Sequence, residues 1–397
     1  MKTKTLLTVI LSILLVSCTP VSTPTPIETL VPTATITLTP VPTITITPSP
    51  VIEIKTLKEV SQILGVQIGF TFQSDDLGSY RAAYESLAAR HFAAIHSLNE
   101  LSNDFIVKYG YEGIDLIVQR AHNANQVLIT PPIFDRVADN SYLEGKSASV
   151  VEADMRKRLQ EILPHLKLAT EAQTPVYIIT ANELIDTSVG YGRFDPDPTN
   201  VYVHAFGKDA IYQVMKITLD EAQKAGIDIW GGKVFFMQGM TGLLGGGEKL
   251  STSLQFFHEA KQRIADDYQV TYDKVPFGIA AQDHASLHGF RGHENVATLE
   301  IRTDSLVKVA AEGQVVIIES ELNDGTASES VEYWLNTIKA AKASGVKAVI
   351  LWTGIRDCTV QPEEGWCNKN ADLFDDNGMP TSVYENLLAE LIKLAEK

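Results

Sequence analysis

Short apolar runs recur along residues 51–397, and longer segments with apolar residues three and four apart fill the gaps between them. The runs are VQIGFT (66–71), AAIHS (93–97), VLIT (127–130), PVYIIT (175–180), KVFFM (233–237), GIAA (278–281), VVIIE (315–319) and AVILW (348–352). They are rich in β-branched and aromatic residues and mostly free of internal polar groups, as parallel strands covered on both faces are. The intervening segments, such as YEGIDLIVQRAHN and SVEYWLNTIKAAKASG, have helical spacing, with Gly110, Gly226, Gly313 and Gly345 near their ends as stop signals. Strict alternation of eight strands with eight helices predicts an α/β fold, a closed (β/α)8 TIM barrel. A doubly wound open sheet is the alternative, but no Gly-x-Gly-x-x-Gly follows the first run to support a nucleotide-binding version. GLLGGGEK (242–249) lacks the ending of a phosphate loop and reads as a flexible loop after the fifth strand.

The N-terminus breaks this pattern. Two lysines precede an apolar run from Leu6 to Val16, too short to span a membrane comfortably but suited to a signal-peptide core. The run ends Leu15-Val16-Ser17-Cys18, which resembles the bacterial lipobox and implies cleavage before Cys18 and a lipid on that residue. An ordinary secretory signal with an incidental cysteine is the alternative. Thr19–Pro50 is almost all Thr, Pro, Ser and small apolar residues; its prolines remove donors and fix φ, so it reads as an extended stalk. The expected organisation is a signal peptide at 1–17, a lipid-anchored Thr/Pro-rich linker at 18–50 and a catalytic barrel at 51–397. That places the chain outside the cytoplasm, as a cell-surface or envelope lipoprotein held to the membrane by its anchor alone.

Charge and cysteine usage narrow the partners. A formal net charge of −16 argues against nucleic acid. In an exported chain Cys358 and Cys367 are expected to pair as a disulfide closing CTVQPEEGWC. A long stalk suits a monomer. No cofactor is expected.

Active sites in such barrels lie at the C-terminal ends of the strands. The polar residues there are His96, Asn99 and Glu100; Asn182, Glu183 and Asp186; Gln238; Gln282, Asp283 and His284; Glu319, Glu321 and Asn323; and Trp352, Arg356 and Asp357. Two carboxylates on separate strand ends suit glycoside cleavage: one protonates the leaving oxygen and the other meets the oxocarbenium-like carbon. Amides would hold sugar hydroxyls and an indole would stack on the ring. Asp186, Asp283 and Asp357 have an ordinary reading as loop or cap residues. A metal site would draw on His284, His288, His293 and Asp283, but HASLHGFRGH, with its two glycines, does not read as a stable helix that would set two ligands on one face.

Several of these segments together resemble glycoside hydrolase family 10, the retaining endo-1,4-β-xylanases. LGVQIGFTF is similar to the family's first strand. HSLNEL resembles Glu-Asn-Glu-Met-Lys, IITANELID resembles Val-Val-Asn-Glu-Ala, and FGIAAQDHA resembles Gly-Ile-Gly-x-Gln-Ser-His. IIESELND resembles Ile-Thr-Glu-Leu-Asp, AVILWTGIRD the strand-eight Trp-Gly-x-x-Asp, and DLFDDNGMPTSVYENLL the closing segment. The resemblance implies Glu183 as acid/base, with Asn182 on the substrate 2-hydroxyl, and Glu321 as nucleophile. It implies Gln282 and His284 beside the nucleophile, with His284 orienting it. Asn99 and Glu100 would bind sugar hydroxyls, Trp352 would stack under the ring, and Trp366 would line a neighbouring subsite. The sequence departs from the family where Ser102 replaces a lysine, where VLITPPIFD replaces a histidine motif, and where MQGM replaces Asn-Asp-Tyr.

The implied function is retaining hydrolysis of xylan or a related β-linked polysaccharide by double displacement. A non-catalytic glycan-binding lipoprotein on the same barrel, or a retaining glycosidase for another glycan, stays open. So does the inner acid of VVIIESELND: strand parity places Glu319 and Glu321 on one face. Glu319 would then need a buried partner or a neutral proton, and Asp324 would be a loop residue.

Overall fold

The computed structural model describes residues 54–72, 87–135, 140–185, 200–288, 294–352, 372–375 and 378–397, all within the compact unit Glu53–Lys397. The predicted strands form at the predicted places. They are β1 (Gln67–Phe72), β2 (Ala94–Ser97), β3 (Val127–Ile129), β4 (Val176–Asn182), β5 (Val234–Thr241), β6 (Phe277–Ser286), β7 (Val315–Leu322) and β8 (Ala348–Leu351). Each pairs in parallel with the next, and β8 pairs with β1. The sheet therefore closes as a (β/α)8 barrel. A two-residue strand, Glu294–Asn295, adds to the end of β6.

Two apolar cores follow from strand alternation. Ala94, Ile129, Ile179, Met237, Val316 and Ile350 are among the residues that fill the barrel interior. Residues of opposite parity, such as Ile68, Ile178, Phe236, Ile317 and Val349, pack outward beneath the helices. That double coverage is why the strands read as continuous apolar runs. Gly69 faces inward because a Cβ there would lie 2.5 Å from Ile350 Cδ1 and 2.6 Å from the Ala94 carbonyl.

The helices are bounded by side-chain caps. Thr56 with Glu59, and Thr326 with Glu329, form reciprocal capping boxes at the starts of Leu57–Leu64 and Ala327–Ser344. The second helix stops at Gly345, whose φ of 78° is left-handed. The helix Ser382–Ala395 returns beside the first, where Tyr384 Oη accepts from the Leu57 amide and contacts His91 Nδ1 at 2.7 Å. Strands β4–β7 reach further than their apolar runs suggested, and those extensions carry the polar residues of the mouth.

GLLGGGEK is a loop in its first part, 242–246, and helix from Gly247. Strand β5 continues to Thr241, Leu243 and Leu244 are buried, and the helix Gly247–Tyr268 begins inside the glycine run. The two prolines after β3 do not end its pairing either: Ile133 and Phe134 donate to Ile179 and Thr180 on β4.

Candidate active site

Regular alternation fails at two strands, the two that carry the candidate carboxylates. In β7, Ile317 pairs with Val349 but Ser320 with Leu351, while on the other side Gln282 pairs with Ile318 and His284 with Glu321. Both registers leave one extra residue in β7, and Glu319 takes that bulge with φ 55°. As a result Ile318 belongs to the interior core and yet Glu319 and Glu321 also turn inward. In β4 the register slips between Ile179 and Ala181, which turns Asn182 toward the interior. Glu183 follows with φ 51° and donates its amide to the Gly239 carbonyl. The other described non-glycine residues with positive φ, Asn125 and Gln269, sit where helices end. A left-handed backbone at a glutamate costs about 1–3 kcal/mol and persists where the surroundings enforce it.

Four side chains from β6 and β7 interlock at the mouth, joined by Asn323 just beyond β7. His284 Nδ1 lies 2.6 Å from Glu321 Oε1, and its Nε2 lies 2.8 Å from Glu319 Oε2. Gln282 Nε2 donates to the same Glu319 oxygen at 2.9 Å, and Asn323 Nδ2 donates to Glu321 Oε1 at 3.1 Å. From β2, His96 brings Nε2 to 3.9 Å from Glu319 Oε1, too long for a hydrogen bond but close for charge. Burial opposes a charged His284 ring, yet the hydrogen bonds to Glu319 and Glu321 and their negative charge outweigh it and raise its pKa well above the ordinary value. Burial likewise pushes the Glu319 carboxyl up, and the His284 hydrogen bond with the nearness of His96 overcomes this and holds it at about 2. Glu319 is thus ionised and partnered, not neutral.

Several buried polar atoms on this face have no hydrogen-bond partner: Glu321 Oε2, Gln282 Oε1, His96 Nε2, Asn182 Oδ1, Thr71 Oγ1 and Trp352 Nε1. Buried polar groups are normally paired, so their concentration at one end of one barrel marks a place built for a polar ligand.

The same architecture occurs in solved xylanases. A xylanase 10B from Thermotoga petrophila RKU-1, in complex with xylobiose, superposes with a TM-score of 0.67 at 16% identity over 87% of this chain and 99% of that one. Xylanase 10B from Thermotoga maritima matches at TM-score 0.65 and 16% identity over 86% and 99%. The endo-1,4-β-xylanase XylE of Penicillium canescens matches at 0.67 and 14% over 85% and 98%. No protein-family model matches the sequence, and no curated protein matches it significantly. The chain has the xylanases' barrel.

Within that barrel the predicted residues are distributed unevenly. Glu321, His284 and Gln282 come together, as does Trp352, whose ring meets His284 edge-on at 5.8 Å. Asn182 is buried beside Gly239, where a Cβ would lie 2.2 Å from its Oδ1. The glycine of MQGM is therefore what gives Asn182 its space. Glu183 is half-buried at the end of β4, with β5 and β6 between it and β7. Glu100 is fully buried, its Oε2 accepting from the Ser97 hydroxyl and the Asn99 amide, so this carboxylate also closes the turn after β2. Cys18, Asp186, His293, Arg356, Asp357, Cys358, Trp366 and Cys367 lie outside the described residues.

Three ordinary-looking residues have defined work. Asp283 is neither loop nor cap: it points outward and pairs with buried Arg302 at 3.0 Å. Asp324 accepts from the Ser286 hydroxyl and the Leu287 and His288 amides, which holds the turn after β6. Ser102, at the position of the family lysine, caps the helix Asn103–Tyr109 through the Phe105 amide. His284 and His288 do not share a helical face, because β6 is extended through Ser286. Among the described residues no group of three or more His, Cys, Asp or Glu is placed to hold a metal ion.

Proposed function

We propose that this chain is a retaining β-glycoside hydrolase, endo-acting on xylan or a related β-linked polysaccharide. The observation that carries the reading is the state of Glu321: a buried carboxylate with Oε1 held by His284 and Asn323 and Oε2 left without a partner. A nucleophile needs that combination of fixed orientation and one open oxygen. Glu321 attacks the anomeric carbon and the glycosidic bond breaks as Glu183 protonates the leaving oxygen. Water, deprotonated by Glu183, then releases the sugar and frees Glu321. This chemistry sets the two carboxyls roughly 5–5.5 Å apart. Asn182 and Gln282 offer partnerless amide oxygens to sugar hydroxyls, and Trp352 offers its ring. No cofactor is required.

A glycosidase for a glycan other than xylan is the second reading. Three departures from the xylanase pattern favour it: Ser102 is a cap, the Thr130 hydroxyl is spent on the Pro131 carbonyl and the Ile179 amide, and Gly239 has no side chain. Anchoring through Cys18 would place the enzyme at the cell surface, beside polymeric substrate. The deciding experiment measures reducing sugar released from a panel of β-linked polysaccharides by the wild type and Glu321→Gln, with the anomeric form of the first product read by NMR. Retained configuration and loss of activity in the variant are expected. Binding without cleavage by either protein would sink the hydrolase reading and leave a glycan-binding lipoprotein.

A further inference from the structure

Hydrogen-bond geometry limits the charge states open to His284 and its two carboxylates. Ionised carboxylates only accept. Both ring nitrogens of His284 face a carboxylate oxygen, at 2.6 Å and 2.8 Å. For both contacts to be hydrogen bonds, either the ring carries two protons or one carboxyl carries one. Glu319 Oε2 also accepts from Gln282 Nε2. Glu321 Oε1 likewise receives Asn323 Nδ2. Of the two arrangements that meet these contacts, the raised His284 and lowered Glu319 pKa select carboxylate, imidazolium, carboxylate.

We propose that Glu319 is the positioning residue of this site: it grips Nε2 of His284 so that the Nδ1 proton stays committed to Glu321 Oε1 and the other Glu321 oxygen faces the substrate. The proposal rests on the hydrolase reading for its catalytic consequence, but not for its structural content. Glu319 reaches His284 only because it occupies the bulge of β7, which admits a second inward carboxylate between Ile318 and Ser320. Without it, Nε2 loses its carboxylate acceptor, and Nδ1 can lose the proton that holds Glu321. Among the described residues the groups facing His284 include Glu319 and Glu321 from β7 and the Trp352 ring from β8, with Gln282 beside it on β6 and His96 reaching Glu319 from β2.

The test uses the full chain with ¹⁵N-labelled histidine, the His284 signals being assigned by their loss in His284→Gln. In the wild type both ring nitrogens are expected to show imidazolium shifts at pH 8. In Glu319→Gln the ring is expected to titrate near the ordinary value of about 6.5. On an activated aryl β-glycoside, kcat of Glu319→Gln should fall about ten- to a hundredfold with KM little changed, and activity should gain a basic limb near neutrality. A wild-type His284 that titrates near 6.5 overturns the proposal, and this measurement needs no variant to fold. So does an imidazolium that persists at pH 8 in a folded Glu319→Gln. Intact imidazolium with no hydrolysis of any glycan would leave the positioning role standing and remove the hydrolase reading instead.

Discussion

Two buried ionic clusters occupy opposite faces of the same two strands. On the outer face of β6 and β7, Asp283 binds Arg302, which also donates to Thr337 and stacks over Tyr333, while the Ser320 hydroxyl donates to Asp283. None of these side chains leaves a buried polar atom partnerless. On the inner face, Gln282, His284, Glu319 and Glu321 interlock around a left-handed residue and leave Gln282 Oε1 and Glu321 Oε2 open. The outer cluster is complete by itself; the inner one is complete only with something added. Burial and charge alone do not separate a structural ion pair from a functional one, but unsatisfied valence and backbone strain do.

The difference can be broken from either side. The largest effect is expected inside: Glu321→Gln should lower kcat by about 10⁴- to 10⁶-fold with the urea midpoint nearly unchanged. Next is Glu183→Gln, expected to cost about 10²- to 10⁴-fold on a polymer and far less on an aryl glycoside whose leaving group needs no proton. A similar loss on both substrates would remove Glu183 from the acid role. On the outer face, Arg302→Met should leave Asp283 charged and unpaired and destabilise the fold by about 3–5 kcal/mol, measured by urea denaturation. The smallest effect is Ser320→Ala, about 1 kcal/mol for one hydrogen bond, with kcat unaltered. A kinetic defect in Ser320→Ala would erase the distinction between the faces.

The inner pair also has a pH signature. His284 is raised above its unfolded value, so its contribution is full below about pH 6.5 and fades as pH rises through the higher folded value. Glu319 is depressed to about 2, so its contribution is full above its unfolded value and fades as pH falls toward 2. The gap in urea midpoint between wild type and His284→Gln should be widest from weakly acidic to neutral pH and should narrow on both sides.

Much of this was legible in the sequence. All eight strands could be placed from their apolar runs, because both faces of each are buried. Glu321, His284 and Gln282 could be nominated because they follow those runs directly. What could not be read was the bulge that makes the shared inward parity of Glu319 and Glu321 possible. Alternation from Val316 and Ile318 puts Glu319 on the outside; alternation back from Glu321 puts it inside, and only the bulge reconciles them. A bulge has no compositional mark, and neither do contacts made across strands. Asp283 looked like a loop residue because Arg302 is 19 positions away, and the turn-holding role of Asp324 depends on amides 36 and 37 positions away. The space Asn182 takes from Gly239 is equally invisible along the chain.

The register slip in β7 has an arithmetic corollary. Removing residue 319 outright, as opposed to replacing it, would pair Ile318 with Gln282 and, two positions on, Glu321 with His284, so Glu321 would keep its partner while the strand became regular. The second carboxylate thus behaves as a letter inserted into an otherwise complete word. A deletion of residue 319 would therefore remove the second carboxylate while restoring an unbroken register on both sides of β7.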